Sequence, residues 1–282
     1  MRVTTSDIRK LKAEGQKFSA LTAYDAVTAR LLDEAGVPLI LVGDSLGMAV
    51  LGYENTIPVT LADILHHTKA VVRGTQRSLV VADMPFMTYH RSVEQALENA
   101  GRCLQEAGAQ AVKLEGGRVM AATIARLTSV GLPVLGHIGL TPQSVHQLGG
   151  FKVQGKTLDA ARRLLDDATA VEEAGAFAIV LECMPAEVAR LVTERLAIPT
   201  IGIGAGPYCD GQIQVSSDIL GWLPDFTPKH TRPYAHLAAD AADAFRRFQT
   251  DVAAGSFPTA KESFSVAEDV IAELRKEPRP RS

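Results

Sequence analysis

Cysteine is scarce and unpaired: Cys103, Cys183 and Cys209 stand far apart, with no CxxC and no Cys/His ligand spacing. That excludes a disulfide framework or a thiolate metal site and reads as reduced thiols in a cytoplasmic protein. An excess of charge of one sign is also missing. The 29 Lys and Arg residues face 32 Asp and Glu, for a net charge of −3 and no basic run, so a small-molecule partner is expected and nucleic acid is not. No apolar stretch approaches the roughly 20 residues of a membrane span. The opening MRVTTSDIRKLKAEG has no apolar h-region, so neither a membrane partner nor export is expected. No Pro/Ser/Gly linker divides the middle of the chain. With 282 residues, 46% hydrophobic and 22% charged, a single α/β domain over 1–282 is expected.

What is present is a recurring unit. DEAGVPLILVGD (33–44), QEAGAQAVKLEG (105–116) and EEAGAFAIVLEC (172–183) each end a helix on Glu-Ala. In each, Gly36, Gly108 or Gly175 supplies a left-handed stop and a strand follows. An acid arrives seven or eight residues after each glycine: Asp44, Glu115 and Glu182. Strands are predicted at Phe18–Tyr24, Leu39–Val42, Leu79–Ala82, Ala111–Leu114, Pro133–His137, Ala176–Leu181, Pro199–Ile203 and Ile213–Val215. Helices are predicted at Ala26–Ala35, Leu61–Arg73, Val93–Ala107, Val119–Ser129, Leu158–Ala174 and Ala186–Leu196. Eight strands alternating with helices predict a (β/α)8 TIM barrel, with a doubly wound open sheet as the competitor. Outside the repeat, a leading helix within residues 1–15 is expected to cover the barrel bottom. C-terminal helices are expected over 231–276, and a disordered polar tail over 277–282.

In a parallel barrel the carboxyl ends of all strands open on one face. The polar groups placed there are Tyr24, Asp25, Asp44, Ser45, Asp83, Lys113, Glu115, His137, Glu182 and the run IGIGAG (201–206). Lys113 and Glu115 share one side of their strand, and a lysine within AVKLEG is costly to bury unpartnered. It faces either a polar cavity or a structural acid. Asp44, Asp83 and Glu115 make an oxygen-rich cluster suited to a hard ion such as Mg2+, although each acid alone could equally cap a helix or pair at the surface. His137 is the single histidine at a predicted strand end, a position that more often holds a hydrogen-bonded core residue than a catalyst. Cys183 and Cys209 read as packed thiols. The glycine run could bind phosphate or yield backbone room to a ligand. The long segment 140–157 after the His137 strand is either a lid or a surface excursion.

Several motifs, TAYD (22–25), VGDSLGM (42–48), ADMPF (82–86), VKLEGG (112–117), GHIGLTPQSV (136–145), GGFKVQGK (149–156), LEC (181–183), IGIGAG and DGQIQVSSDILG, occur in order. Together they resemble the ketopantoate hydroxymethyltransferase family. The resemblance implies a (β/α)8 barrel of the phosphoenolpyruvate/pyruvate-like superfamily, assembled as a homo-oligomer, commonly a decamer. It implies transfer of a hydroxymethyl group from 5,10-methylenetetrahydrofolate to 3-methyl-2-oxobutanoate, giving 2-dehydropantoate in pantothenate biosynthesis. By the same resemblance Asp44, Asp83 and Glu115 serve Mg2+, with Glu115 acting directly or through water. Ser45, Asp83, Lys113 and His137 serve the oxo acid, and Glu182 is the general base. Two rivals are a Mg2+-dependent C–C lyase or mutase of the isocitrate lyase-like group and a non-catalytic binding barrel. Such lyases carry a KKCGH-like loop, and this chain has no such string.

Overall fold

A computed structural model describes residues 1–223 and 227–277 of the chain. Eight strands run β1 (Phe18–Thr22), β2 (Leu39–Val42), β3 (Leu79–Asp83), β4 (Ala111–Glu115), β5 (Val134–Gly139), β6 (Ala178–Glu182), β7 (Thr200–Ile203) and β8 (Gly211–Gln214). All neighbours are parallel, and β1 pairs with β8 from Phe18↔Gly211 to Leu21↔Gln214. That pairing closes the sheet, which settles the barrel against an open doubly wound sheet. Gly211 carries no strand signal in sequence, so β8 begins two residues earlier than predicted. A Cβ there would lie 2.7 Å from the Phe18 ring, so glycine lets the closing strand approach β1.

The helices cover the outside, as the apolar outer residues of the strands require. Ile40 and Val42 of β2 and Val80 of β3 pack with Ala29 and Val71 from the flanking helices Ala26–Glu34 and Leu61–Gly74. The inward residues Leu39, Leu41, Leu79, Val81, Ala111, Leu135, Ala178, Val180, Ile201 and Ile213 form a second core inside the barrel. Burying each large apolar side chain contributes about 1.5–3 kcal/mol. The leading helix Thr5–Ala13 places fully buried Ile8 into this inner core, with Val3 and Leu11 packed against it, and so plugs the bottom. Its capping box, Thr4 with Asp7, fixes where it starts.

The three repeated helix ends turn as their glycines predict, with φ of +80° at Gly36, +78° at Gly108 and +93° at Gly175. Two of the repeats also tie the barrel bottom together. Asp33 accepts N–H groups of Gln76, Arg77 and Ser78 just before β3, and Glu172 accepts those of Ala197 and Ile198 just before β7. The C-terminal helices are shorter at their starts than predicted, at Leu237–Ala254 and Glu268–Leu274. Residues 231–236 include Pro233 and instead run against the barrel, where Tyr234 and Ala235 N–H groups donate to the Ile219 carbonyl. Neither C-terminal helix has a buried residue. Of the tail predicted at 277–282, all but Glu277 lies outside the described residues.

Candidate active site

Period-two alternation explains how apolar staves end in charge. On β3 the inward residues are Leu79, Val81 and Asp83; on β4 they are Ala111, Lys113 and Glu115; on β5, Leu135 and His137; on β6, Ala178, Val180 and Glu182. The lower layers fill the barrel and the top layer is ionisable. Register then sets the partners. Asp83 stands level with Lys113, and Glu115 with His137. Lys113 Nζ accordingly lies 2.8 Å from Asp83 Oδ1 and 3.9 Å from Glu115 Oε1. It also lies 3.2 Å from His137 Nδ1.

Lys113 therefore both pairs with acids and faces the cavity. Burial opposes its charge, but Asp83, Glu115 and Asp44 together outweigh that and hold its pKa above the ordinary value. An ammonium can only donate, so His137 Nδ1 accepts and the imidazole proton sits on Nε2. Burial and then the Lys113 charge keep His137 below its usual pKa, so the ring is neutral near pH 7. Its Nε2 points at Glu182 Oε2 at 3.2 Å, short of hydrogen-bond alignment. Glu182 is 17% exposed, against 5% or less for Asp83, Lys113, Glu115 and His137. Among the strand-end acids it is the one most open to a bound molecule.

Asp44 and Ser45 follow β2 at the head of the short helix Leu46–Ala49, which the sequence reading did not anticipate. The Asp44 N–H donates to Asp83 Oδ2 at 3.1 Å, which locks the two acids side by side. The Ser45 hydroxyl lies 2.9 Å from the Tyr24 hydroxyl. Burial pushes the Tyr24 phenol up to about 12, so it keeps its proton and can orient Ser45. Asp25 is drawn away from the site. Its carboxylate caps the helix Ala26–Glu34 by accepting the Val27 and Thr28 N–H groups.

The donor set suits a hard divalent ion. Asp83 Oδ1 and Glu115 Oε1 are buried without an aligned hydrogen bond, and the acids around Lys113 outnumber it. No three His, Cys, Asp or Glu side chains form a ready-made cage among the described residues. Lys113 stands between Asp83 and Glu115, so the arrangement fits an ion held by the Asp44 and Asp83 carboxylates with remaining positions left to water and substrate. Burial drives Asp83 up to about 7 and Glu115 well above its ordinary value, which registers the strain of stacking these acids with one cation.

Asp44, Ser45, Asp83, Lys113, Glu115, His137 and Glu182 meet in one cavity of about 320 Å³ at the barrel mouth, also lined by Leu41, Val180, Ile203, Ile213 and Phe151. A more open groove of about 480 Å³ near Lys17 and Asp210 carries no comparable cluster. The segment 140–157 contributes more than cover. It forms a short 3-10 turn at Pro142–Ser144 and a helix at Val145–Leu148, and it sends Gln143, which sequence reasoning missed, into the floor. The Gln143 side-chain amide donates to Asp44 Oδ2 and its backbone N–H to Glu115 Oε2. Tyr89, also missed, hydrogen-bonds both Gln143 and Glu115. The IGIGAG glycines are explained by close packing. A Cβ at Gly206 would lie 2.3 Å from Ala186 Cβ, and one at Gly202 2.9 Å from Cys209 Sγ.

A closed parallel barrel whose strand ends carry paired acids, a buried lysine and a histidine–glutamate contact defines an enzyme of the TIM-barrel class acting on a small polar molecule. A family profile described as ketopantoate hydroxymethyltransferase matches residues 2–260, and the chain belongs to that family. It is 62% identical to the 3-methyl-2-oxobutanoate hydroxymethyltransferase of Dehalococcoides mccartyi, covering 98% of both chains. It is 58% identical to the protein of the same name from Syntrophus aciditrophicus, covering 93% of this chain and 97% of that one. Among solved structures it resembles phosphonopyruvate hydrolase, with a TM-score of 0.60 and 16% identity over 98% of this chain and 95% of that one. It also resembles 2,3-dimethylmalate lyase, a PEP mutase/isocitrate lyase superfamily member, with a TM-score of 0.57 and 16% identity over 98% of this chain and 95% of the other. At that identity the likeness concerns the fold alone.

Proposed function

We propose that the chain is a 3-methyl-2-oxobutanoate hydroxymethyltransferase. It moves a one-carbon unit from 5,10-methylenetetrahydrofolate to the oxo acid, with water supplying the new hydroxyl oxygen, and releases 2-dehydropantoate and tetrahydrofolate. The observation that carries this reading is the row of polar groups Asp83, Lys113, His137 and Glu182 across β3 to β6, each within 3.2 Å of the next and ending on the least buried of the strand-end acids. The names of the relatives support the substrate and the reaction. Mg2+ held by Asp44 and Asp83, with Glu115 behind them through water, would supply Lewis-acid polarisation of the oxo acid's ketone.

The protein's own groups do the rest. Lys113 offsets the substrate carboxylate's charge, and the Ser45 hydroxyl, oriented by Tyr24, donates to it. Glu182 removes the C3 proton, and His137, with Nε2 3.2 Å from Glu182 Oε2, stands beside the carboxylate that takes it. Water adds to the methylene carbon and both of its C–N bonds break, releasing tetrahydrofolate and the one-carbon unit at the formaldehyde level. The carbon nucleophile adds to that carbonyl carbon, and the new alkoxide takes up a proton to become the hydroxymethyl group. Apolar Leu41, Val180, Ile203 and Ile213 line the cavity and give the branched alkyl group a dry wall. A thiol-dependent lyase reading is not favoured, because burial raises Cys183 to about 11 and leaves it protonated.

The homo-oligomeric assembly, expected as a decamer, and the cytoplasmic location belong to the same proposal. Exposed Phe245 and Phe248 on the helix Leu237–Ala254 support the assembly, and light scattering behind size exclusion tests it. None of the helices is long and apolar enough to cross a membrane among the described residues. The reaction is tested by NMR of 3-methyl-2-oxobutanoate in D2O with enzyme and Mg2+. Exchange at C3 should appear and fall at least about 100-fold in Glu182→Ala. Undiminished exchange in that variant would remove Glu182 from the role of base.

A further inference from the structure

Gln143 reaches the site from outside the barrel staves and joins acids that belong to different strands. Its side chain is 3% exposed and every polar atom on it is used. Nε2 donates to Asp44 Oδ2 and to the Met84 carbonyl, each at 2.9 Å. Oε1 accepts from the Tyr89 hydroxyl at 2.7 Å, and the backbone N–H donates to Glu115 Oε2 at 3.1 Å.

The contacts determine which way round the amide lies. The Tyr89 hydroxyl accepts the Glu115 N–H at 3.1 Å, and its single proton goes to its nearest acceptor, Gln143 Oε1. A flipped amide would set Oε1 against both Asp44 Oδ2 and the Met84 carbonyl, acceptor facing acceptor with no proton between them. Only one orientation satisfies all four groups. In it, Oδ2 of Asp44 and Oε2 of Glu115 are both occupied by Gln143 donors, while Glu115 Oε1 stays free of hydrogen bonds beside Lys113 and His137.

We infer that Gln143 is a positioning residue: with its amide oriented by Tyr89, it sets which carboxylate oxygens of Asp44 and Glu115 face the cavity, and thereby prepares the divalent-cation site. It touches neither substrate nor reacting atoms and acts through the acids. Charge-assisted donors on one oxygen of a carboxylate hold its plane and direct the other oxygen, which is how outer partners of a metal ligand act. The inference rests on the reading of Asp44 as a metal ligand.

The test is Mn2+ binding to the substrate-free protein, followed by electron paramagnetic resonance, alongside thermal melting without metal. Gln143→Met keeps the side chain's length and the backbone N–H on Glu115, and removes the side-chain amide that donates to Asp44 and accepts from Tyr89. It should weaken the Mn2+ dissociation constant about 10–100-fold. Tyr89→Phe leaves Gln143 in place but removes the proton that orients its amide. It should weaken Mn2+ binding in the same direction by a smaller factor, and it serves if Gln143→Met fails to fold. A residue that merely fills space would lower the melting temperature while leaving Mn2+ affinity of the folded protein within about twofold, well under the range expected of an outer partner. That result in either folded variant overturns the inference. Absence of saturable Mn2+ binding in the unaltered protein, or binding that Asp44→Ala leaves intact, would overturn the Asp44 reading and this inference with it.

Discussion

Lys113→Met removes the one buried cation from a nest of acids without changing the length of the side chain much. Lys113 Nζ is 2.8 Å from Asp83 Oδ1 and 3.9 Å from Glu115 Oε1, with the side chains 5%, 2% and 3% exposed. Deleting one partner of so buried a pair leaves an uncompensated charge, at a cost of about 3–5 kcal/mol. The cost should depend on pH, and its sign follows from the acid. Burial already raises Asp83 to about 7 with Lys113 present, so its ionised form is disfavoured in the fold and stability is lost as pH rises from the unfolded value towards 7. Without Lys113 the folded value rises further. Below pH 7 Asp83 is protonated in both proteins and the deficit shrinks to lost hydrogen bonding, about 1–2 kcal/mol. Above it, the deficit grows by about 1.4 kcal/mol per pH unit until the variant's own pKa is passed. Urea unfolding in metal-free buffer at pH 6 and pH 8.5 measures both ends. A deficit equal at the two pH values, or below about 1 kcal/mol at the higher one, would refute the claim that Lys113 neutralises these acids.

Asp33 carries the opposite sign. Burial raises its pKa, but the N–H groups of Ser78, Arg77 and Gln76 and the Ser78 hydroxyl outweigh that and hold it at about 2. Its depressed value contributes about 2.5 kcal/mol, present above the unfolded pKa near 3.9 and lost as pH falls through 2. Asp33→Asn should therefore lower the urea midpoint at pH 7 and converge with the parent protein near pH 2, and unchanged midpoints at pH 7 would sink the assignment. Ser45→Ala should raise the KM for the oxo acid about 10–100-fold with a smaller change in kcat. Asp44→Ala should instead abolish Mg2+-dependent C3 exchange, and identical kinetic profiles in these two variants would contradict the separate roles. Gly139→Ala adds a Cβ 2.2 Å from the Glu182 carbonyl at φ +97°, whereas Gly131→Ala at φ +87° meets nothing within 4 Å. The second should cost only the left-handed backbone penalty, about 1–2 kcal/mol, and the first should cost more and also impair exchange; equal melting shifts would show that the carbonyl yields.

The barrel was legible because its strands are short and mostly buried, and three of its units are punctuated by the same Glu-Ala-Gly stop. β2 is predicted to the residue, and β3 and β4 miss only their last inward acids, Asp83 and Glu115. Those misses have one cause. A strand that continues into an ionised side chain looks finished to a hydrophobicity pattern, although its backbone pairing continues for another residue. β6 likewise runs on to Glu182. The catalytic end of a barrel strand is where composition and backbone structure disagree.

Register is the quantity that spacing alone does not contain. Lys113 and Glu115 share a face from their spacing of two, but nothing in the string says that Asp83 stands level with the first and His137 with the second. A slip of one residue between β3 and β4 would turn Lys113 towards the helix layer and leave Asp83 alone. Once register is known, the distances within the chain of polar groups follow from neighbouring strands. Gln143 lies beyond even that. It belongs to no strand, and its place between Asp44 and Glu115 depends on a 3-10 turn folding back over the mouth. The turn is held by the same acids it orders, through the Glu115 and Asp44 carboxylates, with the Met84 carbonyl as a further acceptor. Segment and site therefore specify each other, and a sequence reading that treats 140–157 as a cover separable from the chemistry omits half of that relation.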